Sequence, residues 1–333
     1  MDKPNIICMT PVKNESWVLD RFLKCASLWA DHIIIADQST DRASADIALS
    51  FPKVKLIENI SQSYNEQERQ KLLINAARKF PGPRLFIALD ADEMLTANFL
   101  YSSEWNSVLE AQPGTVIRFE WVNIRPDFNS CWIPEGKLPL GFMDDGSKHT
   151  GADIHSPRVP VPAHADTIIL EDIKCLHYQY TNWRRMEKKQ CWYQCWERVN
   201  KPQRSAIAIF RQYHHMYSIP LEQIRPLRRE WLSGYIDRGI DITSITDEKS
   251  YWMDHEILKY FDQYGTKKFR REAIWHFNWV HIAKDLGVDD AFRYRDPRGS
   301  FERFVHVLLK QTQKSQNKFS TRLVHKALRL MGW

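Results

Sequence analysis

The chain opens on short apolar runs alternating with longer amphipathic ones. "NIICMTPV" (5–12) is an apolar block closed by turn residues, which marks a buried strand. The next stretch, 15–30, places Val18, Leu19, Phe22, Leu23, Ala26 and Ala30 on one face of a helix. "HIIIAD" (32–37) and "VKLIE" (54–58) predict two more strands, the first closed by "QSTD". A helix is predicted over 66–80, with Leu72, Leu73, Ala76 and Phe80 inward and "PGP" (81–83) as its stop. "LFIALD" (85–90) is the fourth strand. Strands that alternate with helices predict a parallel sheet covered on both faces.

Beyond that block the periodicity weakens. "TVIRFEWV" (115–122) alternates as an edge or antiparallel strand does, 126–165 reads as a long loop, and 167–180 returns to strand character. After 181 the helical period dominates, with predicted helices at 183–199, 226–238, 247–263, 268–286 and 301–311. Gly239, Gly265 and Gly287 fall just past three of them, as helix stops. The expected organisation is an α/β domain over 1–180, a mixed sheet flanked by helices, and a helical region over 181–333.

Composition changes this picture little. Hydrophobic residues at 43% and charged residues at 26% are those of an ordinary soluble globular protein. No run is long and apolar enough for a membrane-spanning helix, and the start reads as a strand rather than a signal peptide. The six cysteines form no CxxC pair and read as reduced thiols of a cytosolic protein. Cys191 and Cys195 stand one helical turn apart without further ligands at zinc spacing. The formal charge of +6 is located in one place: residues 301–333 hold seven Lys/Arg and one acid, Glu302. The remainder is balanced, which argues against a nucleic-acid-binding face.

The first glycine is Gly82, after three strands and two helices of the pattern. Neither a GxGxxG turn nor a P-loop can therefore follow the first strand, which excludes the dinucleotide dehydrogenases, the P-loop NTPases and the nucleotidyltransferases with an early Gly-rich loop. A bound nucleotide diphosphate would need another source of neutralisation. "DADE" (90–93), after the fourth strand, offers one. Asp90 and Asp92 project alike where the chain stays extended, and two hard carboxylates suit Mg²⁺ or Mn²⁺ bridging phosphates. Acid–base chemistry, or acids that merely begin a helix, would account for the same residues.

Three motifs in order, the "KNE" turn (13–15), "ADQSTD" (36–41) and "DADE", resemble glycosyltransferase family 2, in particular its bacterial subgroup with an (R/K)NE turn. The likeness covers roughly 5–100, with a weaker match at "CLHYQY" (175–180). It implies a GT-A, Rossmann-like fold and sugar transfer from a nucleotide-diphosphate donor to a glycan or lipid-linked acceptor in cell-surface polysaccharide synthesis, with inversion. By position, it implies that Thr10, Pro11, Lys13, Asn14 and Glu15 lie near the base and ribose, that Asp37 accepts hydrogen bonds from base or ribose, and that Arg69 faces the diphosphate or sugar. Asp90 would touch ribose or sugar, and Asp92 would ligate Mn²⁺ or Mg²⁺ together with His177. A half-buried strand histidine is the alternative for His177. Asp144 or Asp145 in the long loop would be the base, and His155 and Arg158 acceptor or phosphate contacts; "DDG" also reads as a plain turn. A non-catalytic carbohydrate-binding or scaffold protein on the same fold is the competing class.

Two further stretches are distinctive. "NWRRMEKKQCWYQCWERVNKP" (182–202) carries aromatic residues on two helical faces, a core pattern before it is a sugar platform. "KFSTRLVHKALRLMGW" (318–333) predicts a basic amphipathic helix with Leu323, Val324, Ala327, Leu328 and Met331 on one side. Such a terminus fits peripheral contact with the inner face of a membrane, or docking on its own domain.

Overall fold

The computed structural model describes residues 3–40, 42–59, 64–246, 248 and 250–333. Met1 and Asp2 of the start, Asp41 of the second motif, and positions 247 and 249 of the predicted helix 247–263 lie outside the described residues. The chain divides into two compact units: 1–181 with 225–247, and 182–224 with 248–333. Residues 225–247 thus belong to the α/β unit and not to the helical one.

In chain order the first unit contains β1 (Asn5–Val12), α1 (Ser16–Ala26), β2 (His32–Asp37), α2 (Ala43–Leu49), β3 (Val54–Glu58), α3 (Glu66–Ala77), β4 (Arg84–Ala88) and β5 (Glu93–Leu95). It continues with α4 (Ser103–Leu109), β6 (Val116–Phe119), β7 (Trp121–Ile124), β8 (Ser130–Trp132), β9 (Leu138–Met143), β10 (Thr167–Ile169) and β11 (Cys175–His177). Helices α5 (Trp183–Asn200) and α6 (Ala206–Tyr213) belong to the second unit. Strand β12 (Arg225–Pro226) and α7 (Glu230–Ile236) return to the first. The second unit closes with α8 (Trp252–Tyr264), α9 (Trp279–Asp285), α10 (Ser300–Gln311) and α11 (Phe319–Leu330).

Among the described residues the first unit holds two sheets. The larger runs β10-β6-β9-β4-β1-β2-β3, and the smaller runs β12-β8-β7-β11-β5. Strands β1 to β4 are parallel; β1, β2 and β4 are apolar and buried on both faces, whereas the edge strand β3 leaves Lys55 and Glu58 exposed. Ile7, Ile33, Ile34, Leu85, Phe86 and Ile87 have no exposed surface. The mixed α/β architecture flanked by helices, with a helical C-terminal part, is as expected.

The long stretch 126–165 is not a loop throughout. It holds β8 and β9, and β9 is central, antiparallel to both β4 and β6. Its loop-like composition has a steric cause: a Cβ on Gly141 would stand 2.9 Å from Ile117 Cβ and 3.0 Å from Ile87 Cδ1. The alternating run 115–122 is likewise two strands in two sheets, with the change of sheet at Glu120. The predicted helix 268–286 is broken. Only 279–285 is α-helical, because Asn278 caps a new start by accepting from the His281 N–H at 3.1 Å, and Trp275 Nε1 donates to the Phe269 carbonyl at 2.8 Å.

In the second unit the aromatic helix α5 packs on both faces. Trp192 meets Trp252 edge-on at 5.1 Å, and Tyr193 stacks on Tyr213 at 5.4 Å. All six cysteines are buried thiols. No described helix is long and apolar enough to cross a membrane.

Candidate active site

The parallel strands fix where a site can form. β1 lies between β2 and β4, so the chain order reverses direction beside it. Crevices outside the carboxyl ends of strands at such a switch point are the usual ligand positions of open α/β sheets. Register places Val12 opposite Asp37 and Met9 opposite Ala88, so the "KNE" turn, Asp37 and the "DADE" stretch share one edge. Asp37 ends β2 and Asp90 follows the end of β4, two strands away, which separates them by roughly 10 Å.

"DADE" does not begin a helix. After Ala88 the chain leaves the large sheet, turns through 89–92, and enters β5 of the small one. There β5 pairs antiparallel with β11, Glu93 opposite His177, and β11 pairs parallel with β7, His177 opposite Asn123. The Tyr178 N–H donates to the Asp92 carbonyl at 2.8 Å and holds the turn against β11. The residue order therefore delivers one acid to each side of the junction between sheets.

Glu93 and Arg158 form the inner part. The Glu93 carboxylate is fully buried, accepts from the Asp90 N–H at 2.9 Å and pairs with the Arg158 guanidinium. Arg158 also donates to Asp90 Oδ2 at 2.8 Å. Burial pushes the Glu93 carboxyl up to about 7, with Arg158 pulling against it. Burial alone would lower Arg158, but the adjacent Asp90 and Glu93 outweigh it and hold it above its ordinary value. Asp90 remains the solvent-reachable acid of the three, with its side chain 34% exposed.

Asp92 and His177 form the second part, and both are buried. His177 Nδ1 lies 2.7 Å from Asn123 Oδ1, which can only accept, so the ring proton sits on Nδ1. Nε2 then faces Asp92 Oδ2 at 3.8 Å, an ion pair when the ring is protonated. Trp121 stacks on the imidazole at 4.0 Å and Tyr180 meets it edge-on at 5.6 Å, so both ring position and ring plane are fixed.

The donor set fits a divalent cation. A carboxylate oxygen and an imidazole nitrogen 3.8 Å apart lie within reach of one ion at bonds of about 2.1 Å when the ring is neutral. An imidazole whose other nitrogen donates to an amide oxygen is the usual arrangement of a metal-binding histidine. Among the described residues no cluster of three or more His, Cys, Asp or Glu side chains forms a complete cage. Two protein ligands with the rest supplied by phosphate and water is how Mg²⁺ is commonly held.

Other predicted residues have definite places. Thr10 and Pro11 are buried in β1. Asn14 adopts a left-handed φ of 53° and joins the first turn to the second: its N–H donates to Ser39 Oγ at 2.9 Å, and its Oδ1 accepts from the Thr40 N–H at 2.8 Å. Glu15 accepts from Trp17 Nε1 at 2.6 Å. Lys13 is partly exposed on the same turn. Asp37 Oδ1 accepts from the Ser39 N–H at 2.9 Å, which shapes the loop after β2. Arg69 lies in the first turns of α3, over the Tyr64 ring at 5.4 Å.

Asp144 and Asp145 are not brought to this corner. The Asp144 N–H bonds the carbonyl of Arg84, the first residue of β4, whereas Asp90 lies past the last. Six residues of extended chain make that separation about 20 Å. Asp144 is sealed by Arg78 at 2.8 Å and Arg84 at 3.0 Å, and Asp145 caps the N–H of Ser147 at 2.8 Å, so "DDG" is the turn its composition also allowed. From there the loop runs back along α3, held by Asp153 to the Glu66 N–H at 3.0 Å and by Glu66 to the Ser156 N–H at 2.8 Å. It ends by inserting Arg158 between Asp90 and Glu93, while His155, with φ of 58°, stays exposed on the loop.

Glu93, Asn123, Trp121 and Tyr180 had no place among the sequence-derived site residues. The signal for Glu93 was its position two residues from Asp90's neighbour in the same acidic run; for Asn123 it was a polar residue within the apolar run 121–124.

No family model matches the chain, and no curated protein matches it. It is similar to solved structures at low identity. Mannosyl-3-phosphoglycerate synthase from Rubrobacter xylanophilus aligns at 17% identity and TM-score 0.28, over 38% of this chain and 42% of that one. S. aureus TarS aligns at 10% and 0.37, over 94% of this chain and 55% of that one, and its 1–349 form at 10% and 0.34, over 94% and 91%. The chain thus spans well under two thirds of the synthase and of full TarS. Likenesses of this size leave the activity to the site's own residues.

Proposed function

We propose that the first unit transfers a sugar from a nucleotide-diphosphate donor to a glycan or glycolipid acceptor, using Mn²⁺ or Mg²⁺. The observation that carries this reading is the Asn123–His177–Asp92 arrangement at the strand switch point. Asp92 and His177 would hold the cation, and Asn123 keeps the imidazole in the tautomer that can bind it. When bound, the cation would offset the charge on the departing diphosphate, the task that the missing glycine-rich turn leaves open.

The chain's own residues have the remaining roles. Asp37 and Asp90, on one edge, accept hydrogen bonds from ribose or sugar hydroxyls. Arg69 near the start of α3 faces the diphosphate. Arg158 holds Asp90 and Glu93 in place, so that Asp90 presents an oriented carboxylate instead of a mobile one. The transfer is read as inverting, which the anomeric configuration of the product tests. Asp144 and Asp145 take no part.

A screen of nucleotide sugars for donor hydrolysis in Mn²⁺ tests this reading, run on the wild type and on Asp92→Ala. The expected result is turnover of at least one donor that requires metal and is lost in the variant. Thermal stabilisation by UDP with Mn²⁺ should accompany it. Stabilisation by sugars alone, with no donor hydrolysed, would instead favour a carbohydrate-binding protein.

A further inference from the structure

Helix α11 docks through the wrong face for a simple amphipathic helix. Its buried positions are Thr321, His325 and Leu328, and the apolar residues opposite point to solvent. Phe319 is 77% exposed, Leu323 53% and Leu330 85%. At 100° per residue these three fall within one stripe on the side away from the buried face. A chain that leaves its most apolar stripe outward has left a surface for something else to cover.

Beside that stripe lies a cavity of about 700 Å³ between α6 and α11. Its lining includes Arg211, Arg322, Lys326 and Arg329 and no Asp or Glu. Among the described residues none of these four cations forms an ion pair; Arg211 donates only to neutral acceptors, the Leu309 carbonyl at 2.8 Å, Gln313 Oε1 at 2.6 Å, Thr312 Oγ1 at 2.7 Å and His325 Nε2 at 2.8 Å. The Arg211 Nε–H is buried and makes no hydrogen bond. Burial with no acid to offset it pushes Arg211 down to about 10, so the cavity favours an anion electrostatically. Phe319 and Leu323 line the same space, so cations and apolar side chains share one opening.

We infer that this face of the second unit binds the surface of an anionic lipid bilayer, with a phospholipid phosphate in the Arg211–Arg322–Lys326–Arg329 cavity and the Phe319–Leu323–Leu330 stripe against the acyl boundary. The charge decides the occupant. A soluble apolar partner would not call for four unpaired cations, and a polyanion alone would not call for three exposed apolar side chains. Only a surface that is negative at the headgroups and apolar beneath matches both. This inference stands apart from the sugar-transfer reading, since it rests on residues of the second unit alone.

The test is flotation of the full chain with vesicles of phosphatidylcholine alone and of phosphatidylcholine with equal phosphatidylglycerol. Binding should be confined to the anionic vesicles and fall with added salt. The triple variant Arg322→Gln, Lys326→Gln, Arg329→Gln should bind about a hundredfold more weakly, since each cation at an anionic surface is worth roughly fivefold. These positions are exposed and make no ion pairs, so its thermal midpoint should match the wild type. Leu323→Ser with Leu330→Ser gives an independent arm and should also weaken binding, without changing the preference for anionic lipid. Equal binding to neutral vesicles, binding to neither, or full retention by both variants would overturn the inference. So would protection of the cavity by inorganic phosphate with no flotation, which would mark a soluble-anion site.

Discussion

The sequence contains two short acidic runs of similar look, "DADE" at 90–93 and "DDG" at 144–146, and the fold treats them in opposite ways. In the second, Asp144 is enclosed by two guanidiniums at 2.8 and 3.0 Å, and its remaining acceptor capacity goes to the Gly146 N–H at 3.1 Å. In the first, Glu93 and Asp90 share one arginine, while Asp92 faces an imidazole nitrogen across 3.8 Å. One acidic run is closed by guanidiniums; the other ends beside an imidazole held by Asn123. A carboxylate enclosed by guanidiniums reads as a structural charge, and a carboxylate beside an imidazole of fixed orientation offers two donor types to one ligand.

Substitutions should separate the two runs. The largest effect is expected from Asp92→Ala, which should lower donor turnover per folded molecule about a thousandfold or more, because the proposed reading makes Asp92 a metal ligand. Asp144→Ala should do the reverse. It leaves Arg78 and Arg84 without their shared carboxylate, and since both are about a quarter exposed the cost should be about 2 kcal/mol, with turnover per folded molecule unchanged. Denaturant unfolding alongside a turnover assay reads both. Loss of activity in Asp144→Ala at full stability would break the comparison.

Asn123→Ala sharpens the account of the corner itself. Freed of its acceptor, His177 can adopt the other tautomer, and the Mn²⁺ concentration for half-maximal turnover should rise by about ten- to a hundredfold. The rate at saturating metal should change less. An unchanged metal requirement would reduce His177 to a satisfied strand histidine.

The smallest effect concerns pH. Glu93 has its carboxyl raised from an ordinary 4.5 to about 7 by burial. Between those values the folded chain holds a proton that the unfolded chain has released, so this group's contribution to stability declines as pH rises through the window and levels off above about 7. Glu93→Gln should flatten that part of the stability profile. A profile that keeps its slope would assign the decline elsewhere.

Strands β1, β2 and β4 were legible because each is a continuous apolar run buried on both faces, and the edge strand β3 because Val54, Leu56 and Ile57 still mark it between turn residues. Strand β9 was hidden by Pro139 and Gly141, which mimic a loop, although close packing on Ile117 and Ile87 requires the glycine. The break in 268–286 was hidden because an N-cap asparagine inside a helical period looks like any polar residue of the exposed face. For α11 the period was legible but the buried face was not: Thr321 and His325, rather than Leu323 and Val324, turn inward, because Arg211 and Leu309 offer polar and apolar partners on that side. At the site, the order of acids and the resemblance gave Asp92 and His177 as an expected pair, and the fold brings the two within 3.8 Å. Asn123, which joins through pairing of β7 with β11, became visible only in three dimensions.

The central claim is that Asp92 and His177 grip one divalent cation together. Electron spin echo spectroscopy of Mn²⁺ bound in the presence of UDP tests it directly, because a coordinated imidazole nitrogen modulates the echo. The account predicts nitrogen modulation in the wild type that vanishes in His177→Ala, and loss of tight Mn²⁺ binding in Asp92→Ala. Tightly bound Mn²⁺ without nitrogen modulation, or binding indifferent to Asp92, would contradict it.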